Sequence, residues 1–209
     1  MTHAKRSKSS QRWLQEHFSD EFVKRAHQEG WRSRAVFKLE EIQLKERLIR
    51  PGMTVIDLGA APGGWSQYVR RVMGERGRVI ALDILPIEPM PGVDILQGDF
   101  REQPVLEQLY AMLQHTPVDL ILSDMAPNFS GNKAIDQPGA MYLAELAFDM
   151  AQSVLAARGA LLIKTFQGEG FEALCRQLRG RFQRVVIKKP KASRARSNEM
   201  YLLAQDFRP

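Results

Sequence analysis

The feature that most constrains the fold is the run Val55-Ile56-Asp57-Leu58-Gly59-Ala60-Ala61-Pro62-Gly63-Gly64-Trp65-Ser66-Gln67. A β-branched pair entering an acid and then a glycine cluster predicts a buried strand, a tight turn and a helix. Gly59, Gly63 and Gly64 lack a Cβ and let a ligand approach the main chain, while Pro62 stiffens the loop. Strand, glycine turn and helix also open a dinucleotide unit, but that fingerprint is G-x-G-x-x-G, with a helix N-terminus aimed at pyrophosphate. Here Gly59 is followed by Ala60 and Ala61, and Asp57 puts a carboxylate at the strand end. Like charges repel in a partly dry site, so the carboxylate suits a cationic ligand better than a phosphorylated one. S-adenosylmethionine, with its sulfonium and ammonium groups, is such a ligand. A glycine turn with only a structural task is the competing reading.

The rest of the chain alternates around this run. Strands are expected at Thr54 to Leu58, Arg78 to Asp83, Val93 to Leu96, Val118 to Asp124 and Ala160 to Phe166, with two more near Val185 and over Met200 to Ala204. Helices are expected from Ser33, as N-cap, to Ile49, and over Gly64 to Met73, Glu102 to Gln114, Gly139 to Ala156 and Phe171 to Arg179. The apolar positions Val36, Leu39 and Ile42, with Phe37, Leu44 and Leu48, give the first of these its faces. Strands interleaved with helices predict an α/β, Rossmann-like sheet, mainly parallel and covered on both faces. Only a basic loop joins the last two strands, so the final strand is antiparallel.

At 209 residues the chain suits one α/β domain over 31–209, preceded by a basic, partly mobile arm over 1–30. Residues 1–12 carry Lys5, Arg6, Lys8 and Arg12 among serines and have too little apolar surface to order themselves. From Trp13 to Gln28 the spacing is amphipathic and helical, with a break near Ser19-Asp20. The net charge of +6 and pI near 9.6 point to a polyanionic partner. The single cysteine, Cys175, sits in a helical pattern and reads as a buried, inert thiol. His3, His17, His27 and His115 have no metal-ligand spacing, so no metal is expected. There is no leader-like apolar region and no run near ~18 apolar residues, so a cytoplasmic protein without a membrane span is expected. A monomer is expected.

Asp57, Asp83, Asp99 and Asp124 each close an apolar stretch, so they converge on one rim of the sheet beyond the strand ends. Asp83 is placed to accept from ribose hydroxyls and Asp99 from an adenine amino group, with Phe100 as apolar cover. Gly59, Gly63 and Trp65 complete the expected cofactor lining. The loop Ser123-Asp124-Met125-Ala126-Pro127-Asn128 lacks the Pro-Pro-aromatic signature of amino-group methylases, and Cys175 is not in a strand-end loop where a pyrimidine carbon-5 methylase keeps its nucleophile. The rim does offer Lys164, closing Leu161-Leu162-Ile163-Lys164, where an unpaired ammonium is costly. By spacing alone Lys38 is a solvent-reaching lysine and Glu199 a salt-bridge acid. The basic block from Lys188 to Ser197 cannot belong to the core. Lys188, Lys189, Lys191, Arg194 and Arg196, together with Arg34, are expected to meet RNA phosphates.

The glycine run, Ser123 to Asn128, Lys164 with Phe166-Gln167-Gly168, and Ser193-Arg194-Ala195-Arg196-Ser197 followed by Glu199 together resemble the FtsJ family of ribosomal RNA 2′-O-methyltransferases over essentially the whole chain. That resemblance implies S-adenosylmethionine as cofactor and a Lys-Asp-Lys-Glu tetrad falling on Lys38, Asp124, Lys164 and Glu199. It also implies a uridine 2′-hydroxyl of large-subunit ribosomal RNA as acceptor, on the assembled subunit. Lys164 then takes the hydroxyl proton, or steers the hydroxyl and accepts the proton late, with Asp124 orienting it and Lys38 and Glu199 holding the group in place. A non-catalytic RNA-binding assembly protein, a methylase acting on another RNA such as tRNA, and a nicotinamide oxidoreductase are the alternatives.

Overall fold

The computed structural model describes residues 20–194 and 197–209. The expected helix before Ser19, the basic residues 1–12 and Arg196 lie outside them. Helix α1 (Glu21–Gln28) starts at Asp20, whose side chain accepts from the Phe22 amide at 3.0 Å. That bond satisfies one of the donors a helix N-terminus leaves open. Ala26 is buried, and the Phe22 and Phe37 rings lie 5.7 Å apart. From Asp20 onward the expected arm is therefore packed on the domain. Helix α2 (Val36–Glu46) is shorter than expected. Ser33 does not cap it, because the Ser33 hydroxyl packs against Gly64, where a Cβ would come within 2.4 Å of the oxygen. Leu44 is exposed, and Arg47 ends the helix in the left-handed region.

The sheet contains β1 (Thr54–Leu58), β2 (Arg78–Asp83), β3 (Asp94–Gln97), β4 (Val118–Ser123), β5 (Leu155–Phe166), β6 (Phe182–Lys188) and β7 (Glu199–Phe207). Between them run α3 (Gly64–Met73), α4 (Gln103–Leu113), α5 (Lys133–Val154) and α6 (Phe171–Arg181). Strand order is β3-β2-β1-β4-β5-β7-β6. The first five strands are parallel, and β7 is antiparallel to both β5 and β6. The expected class, a Rossmann-like, mainly parallel sheet with a last antiparallel strand, is the observed one. From β1 the chain moves outward through β2 and β3 and then returns to place β4 on the other side of β1. Ligands of such sheets bind at that reversal, beyond the carboxyl ends of the strands.

Strand parity decides which side chains meet there. Side chains alternate across a strand. Val55, Val79, Leu120, Leu122, Leu162, Tyr201 and Leu203 pack on one face with α2 and α3 residues, while Ile56, Ile80, Ile121, Leu161 and Ile163 pack on the other with α5 and α6 residues. Counting on by two along β1, β2, β4 and β5 puts Asp57, Asp83, Asp124 and Lys164 on the first face. Lys164 and Tyr201 are direct partners in the β5–β7 register, as are Phe166 and Glu199. The acids and lysines of the rim thus share the face covered by α2, which carries Lys38. Burying each Leu or Ile in these two layers contributes about 1.5–3 kcal/mol, enough to hold the register against the cost of the polar cluster. Cys175 is buried in the other layer, and burial pushes its thiol up.

Helix α5 begins six residues before the expected Gly139 and runs through Pro138. Asn132 caps it by accepting from the Ala134 amide at 3.0 Å. Gly139 lies where a Cβ would be 3.4 Å from Pro127, so the helix passes close to the loop after β4.

Candidate active site

At the end of β1, Gly59 has φ +70° and packs so closely on the β4 loop that a Cβ would lie 2.6 Å from the Met125 side chain. Gly63 has φ +105°, and a Cβ there would meet Met90 at 2.5 Å. Arg32 reaches across this turn to donate to the carbonyls of Glu88 at 2.5 Å and Pro89 at 2.9 Å. Asp57 is fully buried. Its Oδ2 accepts from the Ser66 hydroxyl at 2.6 Å, and its Oδ1 has no hydrogen-bond partner. Burial, only partly offset by Ser66, pushes the Asp57 carboxyl up to about 7. Asp83 accepts from the amides of Ala61 and Leu85, both at 2.8 Å. Asp99 is gripped by Arg101, whose Nε donates to Oδ1 at 2.9 Å and Oδ2 at 2.8 Å. Those bonds hold the Asp99 carboxyl below its usual range.

The side chain of Trp65, a residue expected to line the cofactor site, is packed inward. It is only 3 % exposed, donates from its indole nitrogen to the Ala35 carbonyl at 2.7 Å, and lies 5.7 Å from the Tyr201 ring. As the second residue of α3, on the face turned to α2 and β7, it braces the neighbouring charged cluster from behind.

That cluster brings Lys38, Asp124, Lys164 and Glu199 together from α2, the β4 loop, β5 and β7. The Lys164 ammonium lies 3.1 Å from Asp124 Oδ1 and donates to the Asp124 carbonyl. Lys38 Nζ is 2.8 Å from Glu199 Oε1 and 3.9 Å from Asp124 Oδ1. Ser193 donates to the same Glu199 oxygen at 2.8 Å. Burial by itself would push Asp124 up, but the ammonium of Lys164, then that of Lys38 and the Tyr201 hydroxyl, hold it below the ordinary carboxylate range. Asp124 is therefore an anion between two cations, an arrangement that keeps a buried lysine paired. Tyr201 was not anticipated from the sequence. Its hydroxyl accepts from Lys38 at 3.1 Å and donates to Asp124 Oδ1 at 2.6 Å, and burial followed by the charges of Asp124 and Glu199 keeps it protonated. Its signal was available: two residues on from Glu199 in a strand is the same face.

A cleft of about 1320 Å³ opens over the cluster, lined by Lys38, Lys164 and Glu199 with Arg34, Arg194 and Phe129 among others. The expected phosphate-binding residues divide. Arg194 lines the cleft. Arg34 lines it too, but also pairs with Asp20 and donates to the Ala192 carbonyl, which fastens α1 to the basic loop. Lys188 is paired with Glu46, and Lys189 donates to the carbonyls of Ser197 and Glu199, so these two brace the loop. The Lys191 amide is held by Glu41 at 2.6 Å.

A sheet of this order, with acids on one rim and a paired lysine over an open cleft, defines a class I, Rossmann-like methyltransferase. The chain belongs to the FtsJ-like methyltransferase family, whose pattern matches residues 31–207. It is 62 % identical over 205 residues to the Ribosomal RNA large subunit methyltransferase E of Stenotrophomonas maltophilia, covering 98 % of each chain. It is 58 % identical over 202 residues to the protein of that name from Legionella pneumophila, covering 97 % of this chain and 98 % of the relative. Among solved structures it is similar to a Plasmodium falciparum protein described as a ribosomal RNA methyltransferase, with TM-score 0.77, 28 % identity, and coverage of 85 % of this chain and 98 % of that one. Human Methyltransferase-like protein 13, solved with SAH, shares the fold at TM-score 0.55 and 14 % identity, over 84 % of this chain and 78 % of that one. Among the described residues no helix is long and apolar enough to cross a membrane.

Proposed function

We propose that this methyltransferase transfers a methyl group from S-adenosylmethionine to a uridine 2′-hydroxyl of large-subunit ribosomal RNA on the assembled subunit. The observation that supports it most is the Lys164–Asp124 pair beside Lys38 and Glu199 in an open cleft rimmed by Arg34 and Arg194. Among its described residues the site has no cysteine to act as a nucleophile. It has instead charged donors and acceptors matched to a hydroxyl.

The residues present fit the cofactor. Asp57 keeps a buried, unpartnered oxygen, and Asp83 is oriented by two backbone amides. Asp57 would face its cationic end, Asp83 its ribose, and Asp99 its adenine, sharing that carboxylate with Arg101. Bound S-adenosylmethionine supplies a methyl group already activated by positive sulfur, so the protein's task is alignment of the acceptor and removal of one proton.

Lys38 and Glu199 hold the acceptor hydroxyl in line with the methyl group. Lys164, oriented by Asp124, enters the step as the neutral amine, its resting proton released beforehand; it receives the hydroxyl proton as the new carbon–oxygen bond forms, or steers the oxygen and receives it late. Tyr201 fixes the distance between the two lysines by bonding to Lys38 and Asp124 together.

The test is transfer of tritiated methyl groups to large subunits lacking the modification, followed by alkaline digestion. Because a methylated 2′-oxygen cannot attack its phosphate, the label is expected in an alkali-stable dinucleotide. Label in a mononucleotide, or none on the subunit, would overturn the reading.

A further inference from the structure

We propose that Phe129 is a stacking platform for a nucleobase of the RNA strand that carries the acceptor ribose, a subsite that rests on reading this cleft as a 2′-hydroxyl methylation site. Phe129 is 57 % exposed, unusual for an aromatic residue, and it lines the same cleft as Lys38 and Lys164. Its ring meets that of Phe166 edge to face, with centroids 5.4 Å apart and an interplanar angle of 76°. Phe166 is two residues beyond Lys164 on β5, so the aromatic pair sits next to the charged cluster rather than on a remote surface.

The loop presenting Phe129 is braced from both ends. Asp136 Oδ1 accepts from the Ser130 amide at 2.8 Å and hydroxyl at 2.9 Å, and Asp136 Oδ2 accepts from the Gly131 amide at 3.0 Å. On the other side Pro127 packs against Gly139 of α5. The ring is thus held out of the core by a network that fixes its backbone, and an apolar ring kept in water gains by being covered. Neighbouring cations can hold phosphates, but point charges leave a nucleotide free to rotate about its backbone. In-line transfer needs one ribose orientation, and a base pinned on an aromatic face supplies it without reading sequence.

The test uses the full chain and large subunits that lack the modification, with single-turnover transfer followed against subunit concentration. Phe129→Ala is expected to raise the half-saturating subunit concentration roughly 10-fold, within the range of one lost base stack, with unchanged cofactor affinity and unchanged slope against salt. Phe129→Tyr and Phe129→Trp should keep near-normal affinity, and Phe129→Leu should behave like alanine. Unchanged affinity in Phe129→Ala overturns the proposal. So does normal affinity in Phe129→Leu, since any apolar cover would then suffice, as a protein segment provides. Failure of the unsubstituted chain to place alkali-stable label on the subunit would remove the underlying functional reading instead, before any Phe129 variant is compared.

Discussion

The Tyr201 hydroxyl donates to Asp124 Oδ1 at 2.6 Å while accepting from the Lys38 ammonium at 3.1 Å, so a single buried oxygen joins the helix that carries one lysine to the anion that orients the other. Removing that oxygen leaves the ring packed on Trp65 but cuts the link. A hydrogen bond to a charged group is worth about 1.5–3 kcal/mol. Tyr201→Phe is therefore expected to lower single-turnover methyl transfer by roughly 10- to 100-fold, with cofactor affinity in calorimetry unaltered. A normal rate would mean that the lysines are held well enough by Asp124 and Glu199 alone.

Lys164 is only 8 % exposed and has its charge matched by Asp124. Lys164→Ala should leave cofactor affinity near normal and lower single-turnover transfer by ~100-fold or more, the range of a positioned acid or base. Lys164→Arg separates two roles, because guanidinium keeps the charge yet cannot accept a proton at working pH. No rescue is expected from arginine. A near-normal rate with arginine would leave Lys164 a positioning role and take away proton removal.

Much of this site was legible before the structure because β-strands have a period of two. The glycine run located β1, the acids closing apolar stretches located the rim, and Lys164 stood out as an ammonium at the end of an apolar strand. Lys38 and Glu199 gained roles only through family resemblance, since each depends on a contact between distant segments that spacing does not encode. The inward packing of the Trp65 side chain is likewise not written in the spacing: a helix's second residue can face either way, and here the Ala35 carbonyl and the Tyr201 ring draw the indole inward. The start of α5 lies six residues before the expected Gly139. Asn132 as cap and the Asp136 bonds to Ser130 and Gly131 support the first turn, which offsets the bond that Pro138 cannot make. Lys188 and Lys189 are expected at phosphates, but a run of cations shows its charge and not its partners, and both make bonds within the protein.

Asp57 gives a pH signature whose sign follows from burial. Its folded pKa of about 7 is above the unfolded carboxyl value of ~3.9. The folded state then binds the extra proton between those values, so this group's contribution to stability falls as pH rises from about 4 to 7 and stays low above. Asp57→Asn should accordingly raise the unfolding temperature of the cofactor-free protein at pH 8 more than at pH 5. Cofactor binding to the ionised form should release a proton near pH 6.5, seen as buffer-dependent heat in calorimetry. Heats identical in buffers of different ionisation enthalpy would show that Asp57 does not change protonation on binding.

The basic loop should show a division of labour among its cations. Arg194 lines the cleft, whereas Lys188 is paired with Glu46, which Arg184 also meets at 2.8 Å. A cation that neutralises a phosphate releases a counterion, and on single-stranded RNA each such contact adds about 0.7 to the slope of log affinity against log salt. Arg194→Ala should reduce the slope by about that amount, measured by binding to large subunits over a salt series. Lys188→Ala should change it much less, because its charge is spent within the protein. Lys189→Ala is expected to act differently again: Lys189 bonds the carbonyls of Ser197 and Glu199, so its loss should slow single-turnover transfer at saturating subunit while leaving the slope close to normal. Equal slope changes for Arg194→Ala and Lys188→Ala would mean that the Glu46 pairing yields to RNA and that the loop works as one undivided charge.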